Sequence, residues 1–195
     1  MSRFHAARPL VGATLACLLL LTGCSSLRGT GEKGFISGDQ SVVLIDEGDR
    51  SAPVDLTGDS LTGEPVDVAD YRGKVTVVNV WWSGCGPCRT EMPLLAEASS
   101  ELGDDVAFVG INIRDSSQSQ GLAFSDDAGV EYPSIYDPNG RAMLAFSGKV
   151  SLIATPSTVF LDADGRVAAM ISGDVPSKQT LLDVIDDVSG KSADG

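Results

Sequence analysis

The strongest constraint on the fold lies in residues 75–88, where VTVVNVWW is followed almost at once by Cys85-Gly86-Pro87-Cys88. A nearly continuous β-branched and aromatic run suits a strand covered on both faces of a sheet. Residues 86–102 then place Leu95, Ala98 and Leu102 at helical spacing, with Pro93 expected to kink the helix. Residues 106–113 (VAFVGINI) read as a second buried strand. Strand, helix and strand in this spacing form a βαβ unit with parallel pairing, so the fold class is α/β.

The rest of the chain extends that unit. Residues 116–130 are predicted helical around Leu122 and Phe124, with a short strand at 134–136 and a helical turn at 141–146 after Asp137-Pro138-Asn139-Gly140. Two strands, 157–161 and 166–171, flank the turn signal Asp162-Ala163-Asp164-Gly165. Residues 177–189 carry Leu181, Leu182, Ile185 and Val188 on one helical face. Upstream, segments 52–56 and 66–68 flank a Gly-rich turn and are expected to pair as a hairpin, and 42–45 (VVLI) reads as an accessory strand. Residues 25–34 (SSLRGTGEKG) are small, polar and Gly-rich, as a tether is. The chain has no internal repeat. It divides into a leader (1–23), a tether with an accessory segment (24–50) and one domain (51–195).

The leader fixes the compartment. Arg3 and Arg8 precede a largely apolar run at 10–21 that ends in Leu21-Thr22-Gly23-Cys24. The run is shorter than the ~20 residues a membrane-spanning helix needs and fits a signal-peptide core. LTGC resembles the bacterial lipobox, which implies cleavage before Cys24 and diacylglyceryl transfer to its sulfur. Two acyl chains suffice for stable anchoring, here on the extracytoplasmic face of the cell membrane. The alternative is ordinary secretory cleavage near Gly23, leaving Cys24 free.

Composition then narrows the chemistry. Acidic residues number 27 against 14 basic, a formal net charge of −13, which disfavours nucleic acid as a partner. The single histidine, His5, leaves with the leader. That excludes Ser-His-Asp and Cys-His catalysis and His-ligated zinc, copper or haem in the mature chain. No cofactor and no metal are expected. Loss of Cys17 and acylation of Cys24 leave Cys85 and Cys88 as the remaining thiols.

At the start of a helix, two cysteines three apart can bring their sulfurs within bonding distance. Cys85 sits where unpaired N–H groups and the helix dipole favour a thiolate, and Cys88, one turn in, would resolve a mixed disulfide. Gly86 and Pro87 shape the turn. A structural staple, a zinc half-site and a chance spacing are the rival readings. The staple closes too short a loop to constrain the unfolded chain much, and the half-site lacks further ligands.

VVNVWWSGCGPCRTEMP resembles the active-site stretch of the TlpA, ResA and CcmG/DsbE group of extracytoplasmic thioredoxin-like proteins, and ATPSTVFLDADG (154–165) resembles their substrate loop. The resemblance covers residues 52–188. It implies a thioredoxin fold, a central mixed sheet flanked by helices, with an N-terminal β-hairpin extension and an insert near 114–148. It implies a cis Pro156 opposite Cys85, with Thr155 offering backbone to a substrate cysteine. Trp81 matches the family tryptophan and Trp82 is additional; with Gly86 and Pro87 they complete the expected substrate-binding surface. Asn79 stands where cytosolic thioredoxins carry a buried Asp. In the ResA-like branch a Glu three residues after the second cysteine handles the proton instead, and here that is Glu91; the alternative is a solvated helix charge. Gly84 departs from the family, which usually has an aromatic directly before the first cysteine.

The resemblance thus implies a thiol–disulfide oxidoreductase acting on protein disulfides. The expected role is reductant of the C-x-x-C of apocytochrome c, fed by a membrane thiol transporter of the CcdA type. The alternatives are an oxidase or isomerase in envelope disulfide formation, and a non-catalytic lipoprotein binding module with a structural disulfide.

Overall fold

The computed structural model describes residues 35–37 and 41–191. The leader, Cys24 and the tether at 25–34 lie outside the described residues. The described elements, in chain order, are β1 (Phe35–Ser37), β2 (Ser41–Leu44), β3 (Thr57–Asp59), β4 (Pro65–Asp67), β5 (Val75–Trp81), α1 (Gly86–Leu102), β6 (Val106–Asn112), α2 (Gln118–Asp127), β7 (Ser134–Tyr136), β8 (Ser157–Leu161), β9 (Val167–Ser172) and α3 (Lys178–Ser189).

A seven-stranded sheet runs in the order β1-β2-β9-β8-β5-β6-β7. β5, β6 and β7 pair in parallel, and β8, β9, β2 and β1 add antiparallel strands. Every residue of β5 and of β6 is buried, as a strand with neighbours on both edges and layers on both faces requires. Side-chain alternation along β5 feeds two cores. Val75, Val77 and Trp81 pack with Met92, Leu95, Ala98, Leu181, Val184 and Ile185 of α1 and α3. Val78 and Val80 pack on the opposite face with Val54, Leu56, Phe146 and Val159. This is the mixed sheet and helix layering expected of a thioredoxin fold.

Helix boundaries follow local chemistry. α3 buries Leu181, Val184, Ile185 and Val188, starts where the Ser177 side chain accepts the Thr180 N–H, and ends at Gly190 in the left-handed region (φ 71°). α2 begins at Ser117, whose side chain caps Gln120 N–H, and stops at Asp127, so it is shorter than the 116–130 predicted. α1 continues unbroken through Pro93. Pro93 is exposed, so water can serve the Arg89 carbonyl that loses its helical donor.

One expectation needs correction. The hairpin forms, but its first arm is Thr57–Asp59 rather than 52–56. Residues 52–56 instead tie the hairpin to the domain: Val54 N–H donates to the Gly165 carbonyl, Val68 N–H donates to the Leu56 carbonyl, and both side chains are buried. Their alternation marks an anchored extended segment, which is locally indistinguishable from a strand. The accessory strand expected at 42–45 forms as Ser41–Leu44. It pairs with β1 on one side and with β9 on the other, so Phe35–Ser37 and Ser41–Leu44 widen the main sheet. The insert between β6 and β8 holds α2, β7 and a 3₁₀ turn at Ala142–Phe146, whose Phe146 is fully buried.

Candidate functional site

β5 ends at Trp81 and the chain turns at once into α1. The turn is closed by Cys85 N–H donating to the Trp82 carbonyl at 3.1 Å. Cys85 is the N-cap of α1, and its sulfur accepts the Cys88 N–H at 3.2 Å. The two cysteines form a disulfide with Cα atoms 5.2 Å apart. Cys85 is 5% exposed and Cys88 fully buried, so an incoming sulfur reaches the pair through Cys85. Gly86 and Pro87 are the exposed first residues of the helix, where proline forfeits no intrahelical hydrogen bond.

The loop before β8 closes over this turn. The Thr155–Pro156 bond is cis, as the resemblance implied. The Thr155 carbonyl oxygen lies 3.8 Å from Cys85 Sγ. Thr155 is half-buried and Pro156 buried, and the Thr155 atom that approaches Cys85 Sγ is a backbone oxygen.

Behind the disulfide sits a carboxyl group. Glu91 is on the first turns of α1, one turn beyond Cys88, and is 1% exposed. That burial rules out a solvated helix charge. Val175 N–H donates to Oε2 and Asn79 Nδ2 donates to Oε1, each at 2.8 Å. Burial, with the nearby Asp174 as a lesser contributor, pushes the Glu91 pKa up to about 7 against the opposing pull of the Val175 and Asn79 hydrogen bonds. A carboxyl so tuned exchanges a proton near neutral pH. Asn79 cannot exchange one, but it fixes the group that can; its Nδ2 also lies 3.1 Å from Thr158 Oγ1 on β8.

The two tryptophans part company. Trp81, expected at the substrate surface, is fully buried; its indole N–H donates to Ser134 Oγ at 3.3 Å and its ring lies 5.4 Å from Phe124. It lies beneath the site and not on its exposed surface. Trp82 is half-buried beside the motif.

A second polar group carries the turn and left no signal in the sequence. Asp115, buried, accepts Ser83 N–H at 3.1 Å, Ser83 Oγ–H at 2.6 Å and Asn112 Nδ2–H at 2.7 Å. Arg89 donates to the Ser83 carbonyl at 2.8 Å while its guanidinium stacks over Phe124 at 5.0 Å. Ser83 is thus held on three sides, two residues before Cys85. Among the described residues no cluster of three or more His, Cys, Asp or Glu is arranged to hold a metal.

Known proteins share this fold. Residues 46–185 match the Redoxin family model. The thioredoxin-like protein YneN of Bacillus subtilis is 30% identical over 70% of this chain and 78% of its own. A crystal structure of a DsbF homologue from Corynebacterium diphtheriae superposes with a TM-score of 0.69, at 40% identity, over 75% of this chain and 92% of that one. A secreted thiol-disulfide isomerase from Corynebacterium glutamicum superposes with a TM-score of 0.70, at 33% identity, over 75% and 90%.

Proposed function

This chain belongs to the Redoxin family as a TlpA/ResA/CcmG-like thioredoxin-fold thiol–disulfide oxidoreductase, and from that premise we propose that it is a lipid-anchored, extracytoplasmic reductant of protein disulfides. The observation that carries the oxidoreductase reading is the Cys85–Cys88 pair at the α1 N-terminus with the buried Glu91 carboxyl, held by Asn79 and Val175, one turn beyond it; the resemblance to the ResA-like branch favours the reductive direction.

The chemistry proceeds in two exchanges. The Cys85 thiolate, favoured by the α1 N-terminus and the Cys88 N–H, attacks a substrate disulfide. A Cys85–substrate disulfide forms, and the first substrate sulfur leaves as a thiolate and takes up a proton. Cys88 then gives its proton to Glu91 and attacks Cys85 Sγ. The second substrate thiolate departs, and the enzyme is left with the Cys85–Cys88 disulfide. Two electrons have passed to the substrate. A dithiol donor must restore the pair, and a membrane thiol transporter of the CcdA type supplies that role in this reading. The substrate is the C-x-x-C of apocytochrome c, kept reduced for haem attachment. The 33% identical secreted isomerase supports a second reading, reshuffling of substrate disulfides, in which Cys88 serves as the escape thiol.

Trapping tests the core of the proposal. Cys88→Ser removes the resolving thiol and should accumulate mixed disulfides through Cys85, whereas Cys85→Ser should accumulate few. Equal trapping by both variants contradicts the assignment of Cys85 as attacking thiol.

A further inference from the structure

Gly84 stands where the family resemblance implies an aromatic, and Trp82 explains it. A Cβ placed on Gly84 would lie 2.1 Å from Trp82 Cζ3, 2.6 Å from Cη2 and 2.8 Å from Cε3. No side chain tolerates such approaches. The benzene edge of the Trp82 indole therefore lies directly over the Gly84 backbone, next to Cys85. With the ring where it sits, position 84 has room for hydrogen alone, and a larger residue there requires the Trp82 ring to move.

The indole is seated rather than loose. Trp82 packs against both hydrophobic cores, and its carbonyl accepts the Cys85 N–H. Between it and Cys85 the exposed surface is glycine, and beyond Cys85 come exposed Gly86 and Pro87. The ring is thus the bulky apolar group of this rim. The facing loop carries a second: Ile153 is 89% exposed, two residues before Thr155, whose carbonyl oxygen approaches Cys85 Sγ. An extended polypeptide laid along Thr155 would present its cysteine to Cys85 with a neighbouring side chain against Trp82.

We propose that Trp82 is a specificity-determining residue, an aromatic wall carried to the disulfide from two positions upstream, that Gly84 exists to seat it, and that the preferred substrate is a polypeptide disulfide whose cysteine is flanked by a bulky apolar residue. This deepens the oxidoreductase reading and rests on it.

The test uses two disulfide-bonded peptides that differ only in Leu or Ser beside the cysteine, with hydroxyethyl disulfide as a substrate too small to span the rim. Wild-type protein should favour the Leu peptide in kcat/KM by roughly tenfold or more, the yield of burying one aliphatic side chain. Trp82→Ala should erase that preference through KM. Gly84→Ala should do the same and shift the tryptophan emission, because its Cβ displaces the ring. The exchange Trp82→Ala/Gly84→Trp should recover preference, which a variant that merely misfolds cannot. Preference retained in Trp82→Ala or in Gly84→Ala overturns the proposal, as does an equal loss on all three disulfides. Wild-type protein that reduces all three without preference overturns this inference alone; wild-type protein that reduces none overturns the oxidoreductase reading beneath it.

Discussion

The raised pKa that burial gives Glu91 has a consequence for stability. The carboxyl ordinarily titrates at 4.5 and in the folded chain at about 7. The native state therefore holds its proton more tightly than the unfolded chain does. Stability is greatest below the unfolded value and falls as pH rises from about 4.5 to about 7, by on the order of 3 kcal/mol at most. Glu91→Gln should flatten that fall in denaturant titrations of the oxidised protein at pH 5 and pH 8, and should slow disulfide reduction by about 10²-fold or more. Parallel pH dependence in both proteins, with unchanged rates, would reduce Glu91 to packing. Asn79 suits this partner. Its Oδ1 has no partner among the described residues, so the amide can turn to accept the proton of a neutral Glu91, where an Asp would add a second buried acid. The spacing from Cys88 made Glu91 a candidate in the sequence. The donor that buries it most firmly, Val175 N–H, is a backbone group 84 residues away and has no residue signature.

Elements with a strong apolar pattern were legible to within a residue or two: β5, β6, β8 and α3 all fall where the sequence places them. The failures are weak patterns decided by distant partners. Phe35–Ser37 has little strand signal of its own and becomes β1 by pairing with β2. Segment 52–56 has a strand's alternation but spends it on anchoring against Gly165 and Val68. Close packing between elements is equally invisible locally. Gly110, inside β6, would place a Cβ 2.0 Å from Ser134 Oγ and 2.7 Å from Trp81 Nε1, the two atoms that join β7 to the strand bearing the active-site turn. Gly110→Ala should lower stability by about 2 kcal/mol or more, read as a lower urea midpoint. An unchanged midpoint would mean that the contact is slack.

For the whole molecule, two properties follow from its leader and its redox pair: where it sits and which way its electrons run. Cys24 lies outside the described residues, so the anchor rests on the leader and LTGC alone. Cys24→Ala should move the protein from the membrane to the soluble fraction of fractionated cells; unchanged membrane association would place the anchor elsewhere. Direction of flow was not legible in Cys-Gly-Pro-Cys, because redox poise depends on how the surroundings stabilise the dithiol against the disulfide. The α1 terminus favours the Cys85 thiolate, while the carboxyl of Glu91 behind the buried Cys88 opposes further negative charge there. The measurement that bears most directly on the central claim is the reduction potential of Cys85–Cys88, equilibrated against glutathione or dithiothreitol buffers at pH 7. A reductant should give a value toward thioredoxin's, about −200 mV or lower. A value near −120 mV, that of a strong oxidant, would contradict the reductive reading.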